Sequence, residues 1–362
     1  MRSLRMIRSR NLFWTIPVSV VCALSFTSCL VDRNGSEGAG ETGSAVDGDY
    51  IAVKPVEPAG WPSILWPKEN PYTPAKDVLG RRLFLESALS REGTVSCAWC
   101  HTPAQAFTDK HGTALSVGVR NQPTFRNTPS LGNIGFATSF LFEGNVSTLE
   151  AQALGPLYAH NEMDMTGPEI VARLAADTMY VRLFRNAFGV GPITMVGVTR
   201  ALATFERALV SFQSPYDLWL AGDSTAMTDA AKRGASLFFG DKAKCSQCHT
   251  PPLFTDGGFH NNGLDTVFAD SGRARTTHLL VDVGVFKTPT LRNIGDTYPY
   301  MHDGRFATLD EVVRHYNAGG RSHPNRDARV HPLGLDEHEL FDLVQFLESL
   351  TDESVFRRAG TL

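Results

Sequence analysis

Apolar positions recur at helical spacing along several stretches of this chain, and nowhere do they alternate long enough to argue a substantial sheet. "GPEIVARLAADTMYVRLFRNAFG" (residues 167–189), "TMVGVTRALATFERALVSF" (194–212) and "DEHELFDLVQFLESL" (336–350) each read as helical. A further helix starts near Leu309, behind the capping box Thr308-Leu309-Asp310-Glu311, and ends at Gly319-Gly320. Gly80-x-x-Leu83-Phe84 and Gly234-x-x-Leu237-Phe238 each set a small residue and two apolar ones on a helical face. The pattern predicts a mainly α fold with long ordered loops.

The N-terminal apolar run has a different meaning. Arg2, Arg5, Arg8 and Arg10 precede "NLFWTIPVSVVCALSFTSC" (11–29), a charge-free stretch ending in small residues, which is the pattern of an export signal over residues 1–29. Ser28-Cys29 resembles a lipobox, with lipidation at Cys29; ordinary cleavage nearby is the other reading. Residues 32–49 are rich in Gly, Ser and acids, so 30–60 reads as a flexible linker. The expected location is the periplasm or cell envelope, with the chain tethered through Cys29. Beyond the linker the chain is long enough for two domains, placed at 61–220 and 221–362. With 34 basic residues against 38 acidic ones, no basic stripe points to nucleic acid.

Four of the six cysteines lie in "CAWCH" (97–101) and "CSQCH" (245–249). Two thiols at this spacing form thioethers to one porphyrin, and the adjacent histidine is drawn beneath the ring to ligate iron. A zinc knuckle would want a second Cys or His pair close by, and a redox dithiol does not call for the histidine twice. Two covalent haem c groups are therefore expected, on Cys97 and Cys100 with His101, and on Cys245 and Cys248 with His249. The flanks repeat as well. "TPSLGNIG" (128–135) matches "TPTLRNIG" (288–295), and "FEGNVSTLE" (142–150) matches "HDGRFATLD" (302–310). The chain is a duplicated cytochrome unit.

What the second unit places opposite its histidine decides its chemistry, because a filled sixth position favours electron transfer and an empty one binds peroxide or oxygen. Met301, His302, His315 and Tyr316 are the candidate ligands. His315 and Tyr316 point about 100° apart around one helix, so only one of them faces a given haem. The repeat offset of 160 positions pairs Met301 with Leu141, His302 with Phe142, and Tyr316 with Pro156. Each faces a non-ligand, which suggests one closed haem and one open haem.

The paired C-x-x-C-H motifs, "TPTLRNIGDTYPYMHDG" (288–304), and "LEAQALGP" (149–156) followed by "NEM" (161–163) resemble the di-haem cytochrome c peroxidase and MauG superfamily over residues 61–351. The resemblance implies two cytochrome c-like haem domains in tandem. Ordinary peroxidases of that superfamily carry methionine where Tyr316 stands, whereas the MauG branch has tyrosine. Where they carry a blocking histidine, "SVGVRNQPTFRN" (116–127) has Val119. The resemblance further implies Gln152 and Glu162 as the acid–base pair, with Pro156 between them; Glu150 and His160 are nearby alternatives. It implies a calcium ion held near Asn127, Thr297 and Pro299. It also marks a departure, because Phe142 stands where the family has a tryptophan between the haems.

"GFHNNGL" (258–264), "SPYD" (214–217) and "HYNAGGR" (315–321) are most similar to the MbnH-type subgroup, named for an exported enzyme that oxidises a tryptophan in a partner protein. The function implied is use of hydrogen peroxide to form high-valent iron and oxidise a residue, tryptophan, of an exported partner protein. The alternative is a cytochrome c peroxidase fed electrons by a small cytochrome or cupredoxin.

Overall fold

The computed structural model describes residues 45–354 apart from Asp49, Lys110 and Glu353. The export signal and Cys29 lie outside these residues. Among the described residues no helix is long and apolar enough to cross a membrane.

Ten helices carry the architecture: α1 Pro74–Leu85, α2 Leu149–Gln152, α3 Leu154–Tyr158, α4 Gly167–Ala175, α5 Thr178–Phe188, α6 Met195–Arg207, α7 Pro215–Leu220, α8 Asp229–Phe239, α9 Leu309–Asn317 and α10 Glu337–Glu348. Pairing is confined to short strands. β1 (Ala45–Asp47) runs antiparallel to β2 (Tyr50–Ala52), and β3 (Phe259–His260) to β4 (Phe286–Lys287). The mainly α reading holds.

Two expectations need correction. The last part of the supposed linker is structured, because Tyr50 and Ala52 alternate with exposed neighbours and are buried against the first core. The Tyr50 hydroxyl donates to Asp77 at 2.7 Å, and Asp47 pairs with Arg81 and Arg82. The stretch 167–189 is two helices. Asp177 is extended and its carboxylate accepts the Met179 N–H, so it caps α5 and breaks the run.

The duplication extends to individual contacts. Leu79, Leu83, Phe84, Leu202 and Phe205 lie in a first core, and Phe238, Phe254, Leu343 and Phe346 in a second. α1 crosses α6 at Gly80, where a methyl group would run into the Ala201 carbonyl and lie 2.9 Å from Phe205 Cβ. α8 crosses α10 at Gly234, where a methyl would meet the Asp342 carbonyl and lie 2.9 Å from Phe346 Cβ. This explains the glycine in both G-x-x-L-F motifs: the backbones approach too closely for any Cβ.

Asn133 and Asn293 each open a 3-10 turn in the left-handed region, at φ 61° and 62°. Asn133 donates its N–H to the Leu209 carbonyl and accepts from Ser211; Asn293 does the same with Leu350 and Asp352. The Asn293 side chain also donates to the Ser211 hydroxyl at 3.1 Å, and the Asp352 carboxylate accepts the N–H groups of Phe212 and Gln213 at 2.8 Å. These buried bonds join the two repeats directly.

Candidate functional site

Each C-x-x-C-H motif opens on a helical turn, Cys97–Cys100 and Cys245–Gln247, which brings its two cysteines to one side. Burial pushes the Cys100 and Cys245 thiols up to about 12, so they stay protonated unless a reaction takes the proton. No disulfide pairs these four cysteines.

His101 Nδ1 lies 2.8 Å from the Phe107 carbonyl, and His249 Nδ1 lies 3.1 Å from the Phe254 carbonyl. A carbonyl only accepts, so both Nδ1 atoms carry the hydrogen and both Nε2 atoms keep a free lone pair. Burial lowers both imidazoles below their ordinary range, and the carbonyl contacts oppose it only in part, so they stand neutral. Two thiols and a neutral histidine with a free Nε2 at the edge of a cavity are the donor set that covalent haem requires.

A cavity of about 710 Å³ in the first unit is lined by Cys100, His101, Gln152, Pro156 and Glu162. A smaller one, about 290 Å³, is lined by Cys245, Cys248, His249, Met301 and Tyr316. Phe142 lines both.

In the first cavity Glu162 is held by its backbone, its carbonyl accepting the Val119 N–H at 2.9 Å. Burial alone raises its carboxyl above the usual range. Val119 is fully buried in the first core. Glu150 does not line this cavity. Burial pushes its carboxyl up, but hydrogen bonds from Arg207 at 2.7 and 2.8 Å and Asn70 at 2.8 Å outweigh this and hold it ionised. His160 projects into solvent with its side chain 92 % exposed and pairs with Asp164.

In the second cavity the four candidate ligands separate. His315 is engaged elsewhere, its Nε2 donating to the Asn262 carbonyl at 3.0 Å. His302 lines the cavity but stacks on Phe286, ring centroids 3.9 Å apart. Tyr316 and Met301 remain. The Asn262 amide donates to the Tyr316 hydroxyl at 3.4 Å and approaches the Met301 sulfur at 3.5 Å. Burial raises the Tyr316 phenol, so it gives up its proton only to something that binds its oxygen, which a ferric ion does.

Asn127, Thr297 and Pro299 all line the second cavity, and Asn127 lines the first as well. The Asn127 amide donates to the Ala114 carbonyl at 3.0 Å, leaving its oxygen available. Amide and backbone carbonyl oxygens are hard donors of the kind calcium takes.

Two residues escaped the sequence reading. Glu206 looks like one more polar position of an amphipathic helix but is buried. Lys287, just before the second "TPTL", lines both cavities. Only an expectation that Gly80 brings α1 and α6 into backbone contact would have flagged Glu206.

Residues 74–225 match the family described as di-haem cytochrome c peroxidase, and residues 231–351 match cytochrome c. The methylamine utilization protein MauG of Methylorubrum extorquens is 42% identical over 92% of this chain and 93% of its own. A cytochrome-c peroxidase of Denitromonas iodatirespirans, IdrP1, is 36% identical over 80% of this chain and 85% of its own. The crystal structure of a MauG-like protein associated with microbial copper homeostasis superposes with a TM-score of 0.80 at 35% identity, covering 87% of this chain and 99% of that one.

Proposed function

Since the chain belongs to the di-haem cytochrome c peroxidase and MauG family, we propose that it uses hydrogen peroxide to oxidise a tryptophan of an exported partner protein. The observation that carries this reading is Tyr316 lining the second cavity where the first has Pro156. Two haem c groups, held by Cys97, Cys100 and His101 and by Cys245, Cys248 and His249, would supply the redox chemistry that stores the oxidising equivalents of peroxide. Reduction of peroxide to two waters consumes two electrons and two protons; the partner tryptophan supplies both electrons and both protons as it takes up the oxygen of one water.

The chain's own residues handle the proton and the reach. Glu162, its carboxyl raised by burial, takes the proton from one peroxide oxygen and returns it to the other. The Gln152 amide orients peroxide by hydrogen bonding. Pro156 has no side-chain donor and keeps the first haem open. Tyr316 offers an anionic oxygen that favours high oxidation states, where methionine would raise the potential. Asn262 fixes the tyrosine through its amide. Phe142, which lines both cavities, carries a benzene ring that is far harder to oxidise than the indole of a tryptophan. Exchange of electrons between the two bound haems would then be direct or would use another ring. Asn127, Thr297 and Pro299 would hold a calcium ion. Export places the enzyme in the periplasm or cell envelope, anchored through Cys29.

The test has two parts. The EPR spectrum of the ferric protein is expected to contain one high-spin and one low-spin haem, and two low-spin signals would remove the open site. Incubation with peroxide and the co-encoded exported protein is expected to add oxygen to a partner tryptophan. Rapid oxidation of a reduced small cytochrome, with no mass change on the partner, would instead establish the peroxidase activity.

A further inference from the structure

Lys287 is the second residue of β4 and stands in the wall between the two cavities, lining both. Its backbone N–H donates to the Phe142 carbonyl at 2.8 Å, which fixes the lysine against the other residue of that wall. Its ammonium donates to the Ser139 carbonyl at 2.7 Å. Among the described residues no carboxylate comes within ion-pairing distance of it.

Lys287 and Arg126 are partly buried and Arg207 and Arg292 fully buried, and the three arginines are treated differently. Arg126 pairs with Glu143 and Asp270, Arg207 with Glu150, and Arg292 with Asp217. A buried cation that keeps its charge needs an anion or several strong acceptors. One neutral carbonyl is a poor match for an ammonium with three donors. Burial alone pulls Lys287 down to about 8, so without a counter-charge its protonation near neutrality is incomplete. Each haem c carries two carboxylate side chains, and these are anions the cavity walls must accommodate.

We propose that Lys287 is the counter-charge of haem carboxylates at the shared wall and thereby raises the reduction potential of both haems together. The inference rests on the di-haem reading above. A positive charge near an iron centre favours its ferrous form, and one charge touching both cavities ties the two potentials to one residue.

The experiment uses the full haem-loaded chain with K287Q, which keeps an N–H donor for Ser139 and removes the charge, and K287R, which keeps the charge. Haem content is measured first by the pyridine adduct and intact mass. Wild-type chain with fewer than two haems would defeat the di-haem reading rather than this inference. Optical redox titration then tracks each haem. In K287Q the ferric-to-ferrous ratio at fixed potential should rise at least tenfold for both haems, which is 59 mV for a one-electron couple. K287R should stay near wild type. A shift below tenfold at either haem in K287Q would overturn the proposal and leave Lys287 as a cap on Ser139. Should K287Q fail to take up haem, K287M is read by the same criterion.

Discussion

Pro156 and Tyr316 occupy corresponding places in the two units, 160 positions apart, behind helix starts capped by Thr148 and Thr308. The loops before them also match, with left-handed Leu141 and Gly144 against left-handed Met301 and Gly304. Beyond that the units diverge. Proline has no N–H to continue a helix, and the first unit's helix is split at Ala153 into α2 and α3. The second unit's helix runs unbroken from Leu309 to Asn317 and presents Tyr316 to its cavity. The two segments thus differ in backbone path and in the side chain each presents to its cavity. The shared scaffold carries two haem attachment motifs, and a few residues distinguish the two cavities.

The strongest way to break the comparison is to make the second unit resemble the first. Tyr316→Phe removes the phenolate, and the low-spin EPR signal is expected to disappear in favour of a second high-spin haem. Tyr316→Met keeps a ligand but exchanges a hard anion for a soft neutral one, and oxidation of the partner is expected to fall by roughly 100-fold or more as the second haem's potential rises. Partner oxidation that survived Tyr316→Met unchanged would show that the tyrosine is not its cause.

The first unit is tested at Glu162. Glu162→Gln keeps the shape and removes the proton carrier, with a loss of about 10²–10⁴-fold in the rate of peroxide consumption. The carboxylate must be ionised to accept a proton, and burial raises its pKa. Wild-type activity should therefore rise with pH through a midpoint above the ordinary carboxylate range, and Glu162→Gln should lose that limb. A pH profile identical in both proteins would assign the limb to another group.

Sequence periodicity located α6 and α10, of which α10 buries one face and α6 is enclosed over most of its length, and the C-x-x-C-H spacing marked the two haem attachment motifs. The capping box at Thr308 fixed the start of α9, and the 100° step around a helix correctly separated His315 from Tyr316. Asp177 was missed because an aspartate inside an amphipathic pattern reads as a solvated face until its carboxylate is seen capping Met179. The hairpin at residues 45–52 was missed because Tyr50 and Ala52 are buried by α1, a partner remote in sequence. Glu150 and Glu162 are alike in sequence. Arg207 and Asn70 hold one ionised, while burial without any partner raises the other.

The smallest effect concerns Glu206, and equivalent contacts identify its counterpart. Gly80 faces Ala201 and Phe205 as Gly234 faces Asp342 and Phe346, so Glu206 corresponds to the buried Leu347 of the second unit. Glu206 is 5 % exposed and one of its carboxylate oxygens has no hydrogen-bond partner. Burial, opposed in part by Arg207 and reinforced by Glu150, pushes its carboxyl up to about 8. Because its folded pKa lies above the unfolded value near 4.5, the folded state retains a proton that the unfolded state has lost. Stability from this group is complete below about pH 4.5, declines as pH rises towards 8, and is flat beyond. Each tenfold difference in proton affinity between the folded and unfolded chain corresponds to about 1.4 kcal/mol at most, so the whole effect is on the order of a few kcal/mol. Glu206→Gln should match the wild-type Tm near pH 4.5 and exceed it by several degrees above pH 8. Glu206→Leu, which copies the second unit, should remove the same pH dependence. Parallel Tm curves for wild type and Glu206→Gln from pH 4.5 to 9 would mean that the carboxyl ionises without cost to the fold.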